Sequence, residues 1–194
     1  MALTESTMLE LGTKIPDFEL YDVVSGKSVK PGDFKQQTGL LVIFLCKHCP
    51  YVIHVKSELP KLGKDYISKG IGIVAISSND PTTHPEDAPE SLRQMALEWG
   101  LNYPVCFDVT QEVAKAFYAA CTPEFYLFDE NRQLVYRGQL DDSRPGNHKP
   151  VNGQSLRQAL DAVLAGTPVD SNQRPGIGCN IKWRKGNEPT YFAH

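Results

Sequence analysis

Clusters of basic residues are missing from this sequence. Its 20 Lys and Arg stand against 23 Asp and Glu with no basic block, which argues against nucleic acid or an anionic membrane as partner and leaves a protein or a small molecule. Cysteine is sparse too: five in 194 residues are too few for a disulfide-stapled scaffold, and an odd number leaves at least one thiol free whatever pairs form. The first 15 residues hold no sustained apolar run, so a secretory signal is not expected. The expected address is cytoplasmic, in a reducing environment that disfavours permanent disulfides. Repeats and low-complexity tracts are lacking, and nothing marks a second domain. A chain of this length can bury one good core, so one domain is expected over residues 1–166, with a tail over 167–194 packed on it.

What the sequence does contain is a cysteine pair closing an apolar run, Leu41-Val42-Ile43-Phe44-Leu45-Cys46-Lys47-His48-Cys49-Pro50, and, further on, Cys121-Thr122-Pro123. Two thiols separated by two residues at a strand-to-helix junction can cycle between dithiol and disulfide, which makes redox chemistry the leading reading. A thiol at a helix start is favoured as thiolate by unpaired N–H groups and the helix dipole, an effect of about 0.3 to 1 kcal/mol. Cys46 is placed to benefit, and a cation on Lys47 or His48 would add to it, so Cys46 is expected to be the more exposed and more acidic thiol. Two plainer readings stand beside this one: the cysteines pack as small hydrophobes, or they belong to a metal site. A zinc site would need two more ligands and only His54 is near in sequence, so neither a metal nor another cofactor is expected.

The rest of the chain reads as an α/β domain. Residues 17–36 alternate around Phe18, Leu20 and Val29 with a Ser25-Gly26-Lys27 turn, a small hairpin ahead of the core. Residues 40–45 and 71–76 are continuous apolar runs suited to parallel strands buried on both faces. Between them Val52, Val55, Leu59 and Leu62 recur at helical spacing, giving a β-α-β unit whose crossover should be right-handed. Helices are expected over 91–99 and 111–120 with a strand at 103–107, then a hairpin of 124–128 and 133–138, and a last amphipathic helix over 153–164 ending at Gly166. From Thr167 onward Pro, Gly and Asn dominate. The tail should be irregular and hold on through Ile177, Ile181 and Trp183.

This order, with Cys46-Lys47-His48-Cys49-Pro50-Tyr51-Val52, Tyr136-Arg137-Gly138, Asp141-Asp142-Ser143-Arg144 and Gly178-Cys179-Asn180-Ile181-Lys182-Trp183, resembles the thioredoxin superfamily over residues 10–166, and within it a peroxiredoxin-like (AhpC/TSA-type) branch. The resemblance implies a thioredoxin-like fold with a central mixed sheet flanked by helices, an N-terminal hairpin extension and an irregular tail. It implies that Cys46 attacks and Cys49 resolves, that Lys47 and His48 adjust the thiolate, and that Thr122 and Pro123 form the cis-proline site beside the pair, where an extended substrate backbone docks. Cys121 is within plausible reach of Cys46 but reads first as a packed small residue.

Topology alone adds Ser77, Ser78, Asn79 and Asp80, since parallel strands carry their functional loops at the carboxyl ends. The second hairpin strand returns Asp141, Asp142 and Arg144 to the same edge. The proline-rich loop over 80–89 is expected to rim the cleft. Cys179 is expected to be buried in the docked tail, away from the Cys46 sulfur, with a third redox thiol as the alternative.

Thiol-disulfide oxidoreduction on a protein or small-molecule disulfide, with a thiol as reductant, is the function expected. Peroxiredoxins, the other enzyme reading with its antioxidant activity, place a threonine three residues before the peroxidatic cysteine and an arginine in the later strand region, where this chain has Ile43 and Pro123. A Sco-type copper protein, a third reading, spaces its cysteines by three residues. The chain also departs from thioredoxin, with no Trp before Cys46 and Leu40 near the position of the buried carboxylate that assists proton transfer there.

Overall fold

Six apolar residues in a row leave a strand no wet face, and the strand built from them, β4, Gly39–Phe44, is buried at every position. The structure, a computed structural model, describes residues 3–192. Its elements in chain order are β1, Leu3–Glu5; β2, Leu20–Tyr21; β3, Ser28–Val29; β4; α1, Pro50–Val55; α2, Leu59–Tyr66; β5, Ile71–Ser77; α3, Pro89–Glu98; β6, Val105–Phe107; α4, Glu112–Ala116; β7, Cys121–Thr122; β8, Glu124–Phe128; β9, Leu134–Gly138; α5, Gln154–Ala165; and β10, Ile177–Asn180. The five-stranded central sheet runs β6-β5-β4-β8-β9. Its β4, β5 and β6 are parallel, while β8 and β9 join antiparallel, the mixed sheet of a thioredoxin-like fold.

The pleat of β4 sorts its side chains into two cores. Leu41, Ile43 and Leu45 pack with Val52 of α1, Leu62 of α2, Met95 of α3 and Leu160 of α5. Leu40, Val42 and Phe44 face the other way and pack with Phe117, Tyr126, Phe18 of the N-terminal segment and Trp183 of the tail. The hairpin expected over 17–36 is present as β2 paired with β3. Residues 111–120 were expected to be helical throughout, but α4 is shorter at both ends: Gln111 takes a left-handed φ of 65° and turns its amide to the carbonyls of Ser78 and Lys182, and after Ala116 the chain leaves the helix with Tyr118 at a left-handed φ of 53°.

Most of the tail is irregular, as expected. Ile177–Asn180 departs from this by forming β10, the middle strand of a small sheet in the order β1-β10-β7. Cys179 lies opposite Leu3 on one side and Thr122 on the other. Gly178 allows the pairing: a Cβ there would sit 1.9 Å from the carbonyl oxygen of Thr122. The same stretch of β7 therefore touches both the tail and the cysteine pair.

Candidate functional site

The site forms where β4 ends. Cys46 follows the last β4 residues, residues 47–48 bend the chain, and Cys49 caps α1 with Pro50 as its first residue. Proline lacks an N–H and suits the first helical position, so the helix starts after the cysteine pair and Cys49, not Cys46, stands at its end. Opposite the pair is Thr122, joined to Pro123 by a cis peptide bond as the resemblance implies. The Cys46 Sγ and Thr122 Oγ1 are 3.3 Å apart, and the Cys49 thiol donates to the Thr122 carbonyl at 3.3 Å.

Exposure does not separate the two thiols: Cys46 is 1 % and Cys49 0 % accessible. The acidity runs against the expectation from sequence. Cys49 is held well below the usual thiol range, because as thiolate it accepts hydrogen bonds from the thiols of Cys179 and Cys46 and from the backbone N–H groups of Val52 and Cys179, which outweigh its burial. Cys46 is pushed up by donating to Cys49, by burial and by the nearby Asp87 carboxylate. The first negative charge of the cluster therefore rests on Cys49. The expectation of a more exposed, more acidic Cys46 assumed a helix start one turn too early.

Lys47 and His48 are tied down by a residue not singled out in the sequence. Asp87, fully buried at the end of the short 3-10 turn Pro85–Asp87, accepts the Lys47 N–H at 2.7 Å, pairs with His48 Nδ1 at 2.5 Å and accepts the Asn79 amide at 2.7 Å. Burial alone would push its carboxyl up; His48, Asn79 and the Lys47 amide hold it below its ordinary value. The same hydrogen bond raises His48 against its own partial burial, while the neighbouring His84, stacked on the His48 ring at 4.8 Å between centroids, is pushed down by burial and by His48. It is thus the backbone of Lys47 that bonds within the site.

The other candidates divide. Asn79 reaches the cluster through Asp87 and also accepts the Lys182 N–H at 2.8 Å. Asp80 does not: its carboxylate binds Thr82 and lies near Arg184, and its N–H donates to the Lys182 carbonyl. Arg144 borders a small cleft with Tyr51 and Pro123, and its guanidinium donates to the carbonyls of Asp141 and Ser143 and to Gln139. Cys121 is packed as first read, its thiol facing Glu124 and the Gly176 carbonyl, with its pKa raised by burial and then by Glu124. Cys179 is buried as expected, and Cys49 raises its thiol, which places it beside the second cysteine of the pair. His54, the nearest extra metal ligand in sequence, turns to Ser143 at 2.7 Å. Cys46, His48 and Asp87 do bring ligand atoms within 4.8 Å of one another, but the imidazole and carboxylate are hydrogen-bonded to each other.

The Redoxin family profile matches residues 10–154. Among solved structures, an uncharacterized conserved protein from Geobacillus kaustophilus superposes with a TM-score of 0.93 at 51 % identity, covering 95 % of this chain and 97 % of that one. A hypothetical protein from Sinorhizobium meliloti 1021 does so with 0.92 at 45 %, covering 94 % and 100 %. The thiol-disulfide oxidoreductase ResA of Geobacillus kaustophilus is 26 % identical over 68 % of this chain and 70 % of its own length.

Proposed function

The chain belongs to the Redoxin family, and from that premise we propose that it is a thiol-disulfide oxidoreductase working through Cys46 and Cys49. The observation that carries this reading is the hydrogen-bonded thiol pair held against Thr122. The curated relatives of that name, matched over 70 % of their own length, support it.

A proton passed from Cys46 to Cys49 along their hydrogen bond makes Cys46 the nucleophile. Cys46 is the attacking thiol that the family resemblance implies, whereas Cys49 faces Cys179 of β10. Its thiolate attacks one sulfur of a substrate disulfide, forming a mixed disulfide and releasing the other sulfur as thiolate. Cys49, again ionised, attacks Cys46 Sγ, closes the Cys46–Cys49 disulfide and releases the second substrate thiol. A thiol reductant restores the pair. A peroxide would need fixed donors, and Ile43 and Pro123 offer none where peroxiredoxins carry threonine and arginine, while both terminal nitrogens of Arg144 are bonded elsewhere.

The test is turnover of a disulfide such as insulin with dithiothreitol as reductant. Cys46→Ser should lower turnover severely, and Cys49→Ser should accumulate a mixed disulfide on Cys46 visible by mass spectrometry. Full activity in Cys46→Ser would overturn the assignment.

A further inference from the structure

We propose that Cys179 is a third redox thiol of this site, which exchanges with Cys49 so that the disulfide passes from Cys46–Cys49 to Cys49–Cys179. The inference rests on the disulfide exchange just described and adds a residue from the far end of the chain.

Three cysteines converge on Thr122. Its hydroxyl meets Cys46, its carbonyl meets Cys49, and Cys179 is its partner across the β10–β7 pairing. Cys49 is the middle sulfur: its thiolate is stabilised from one side by Cys179 and from the other by Cys46. That is the order exchange requires: an attacking sulfur, a central one and a leaving one. Backbone pairing fixes Cys179 from both sides, with Leu3 opposite it in β1 and Thr122 in β7. The tail is further anchored by the Lys182 N–H on Asn79 and the Ser6 N–H on the Gly176 carbonyl. Cys121 shows the contrast. It is equally buried, but its thiol faces Glu124 and the Gly176 carbonyl rather than the pair.

The step moves no net electrons. Cys179, as thiolate, attacks Cys49 Sγ of the Cys46–Cys49 disulfide; the Cys49–Cys179 bond forms, the Cys46–Cys49 bond breaks, and the electron pair leaves on Cys46 Sγ. The proton given up by Cys179 is available to Cys46. In the dithiol state Cys179 is held protonated by donating to Cys49, by burial and by the charge on Cys49, with Lys182 opposing. Once Cys49 enters a disulfide, the hydrogen bond to its thiolate and the charge on it are gone, while burial still raises the Cys179 thiol and Lys182 still lowers it, so formation of the first disulfide eases ionisation of the thiol that attacks it. Cys46 is then free while the protein stays oxidised, and the thiol reductant meets the disulfide in β10.

The test oxidises the wild-type protein with oxidised glutathione, quenches it in acid, alkylates the free thiols and maps the linkages by mass spectrometry. Two linkages are expected in wild type, Cys46–Cys49 with Cys179 alkylated and Cys49–Cys179 with Cys46 alkylated. Cys46→Ser should give only the second, and Cys179→Ser only the first. If wild type and Cys179→Ser both form Cys46–Cys49 but Cys49–Cys179 is found in neither wild type nor Cys46→Ser, the third thiol is overturned and the exchange reading stands. If neither wild type nor Cys179→Ser forms a Cys46–Cys49 linkage, the exchange reading fails and this inference with it. Mapping the wild type needs no variant to fold.

Discussion

His48 and Asp87 are each shifted toward their charged forms, and the sign of each shift sets where the pair supports the fold. Asp87 is lowered, so its contribution is present above about pH 3.9, the ordinary carboxylate value, and is lost as pH falls through its folded value. His48 is raised, so its contribution is present below about pH 6.5 and is lost as pH rises through its higher folded value. Both act together between about pH 4 and 6.5. Asp87→Asn should therefore lower the urea midpoint more at pH 5.5 than at pH 9, and the His48 titration followed by NMR should move down. An equal loss at both pH values would show that the ion pair contributes nothing beyond the other hydrogen bonds of Asp87. Charge on Cys49 in turn raises His48, so a protonated His48 stabilises the thiolate. His48→Pro should accordingly make the couple more reducing, and each ~1.4 kcal/mol of thiolate stabilisation lost corresponds to about 30 mV. Equilibration against dithiothreitol measures it; an unchanged potential would mean that the hydrogen bonds to Cys49 alone set the thiolate.

Among elements, β10 is held most narrowly, because its approach to β7 leaves no room for a Cβ at position 178. Gly178→Ala must push the strand off the Thr122 carbonyl, and overpacking of this kind costs about 1 to 3 kcal/mol. The expected result is a lower urea midpoint together with faster maleimide labelling of Cys179, since the strand that buries it shifts outward. A fully stable variant with Cys179 still protected would show that β7 can yield instead. The proline-rich loop ahead of α3 acts likewise at a distance. It delivers Asp87 into the cluster through the turn Pro85–Asp87, yet nothing in its local sequence distinguishes that carboxylate from Glu86 beside it.

For the whole molecule, the division into two cores predicts that stability and redox chemistry can be altered separately. Phe117 is fully buried in the layer opposite α1, with ring contacts to Phe18, Phe44, Tyr126 and Phe128. Phe117→Ala should cost roughly 3 to 5 kcal/mol of stability while leaving the potential of the Cys46/Cys49 pair unchanged under conditions where the variant is folded. A shifted potential would mean that the two layers are coupled through β4. The sequence by itself determined the buried runs of β4 and β5, the α/β order, the thiol pair and the docking of the tail, because periodicity, spacing and turn residues are local properties of the chain; that Thr122 and Pro123 stand beside the pair was implied only by the family resemblance. It did not determine which thiol carries the charge, because that depends on Pro50 delaying the helix and on donors arriving from position 179. Nor did it yield Asp87 against His48 or Cys179 against Cys49: these contacts join residues 39 and 130 positions apart. Only the tertiary structure, by closing the tail strand onto β7 and folding the loop beneath the pair, brings them within hydrogen-bonding reach.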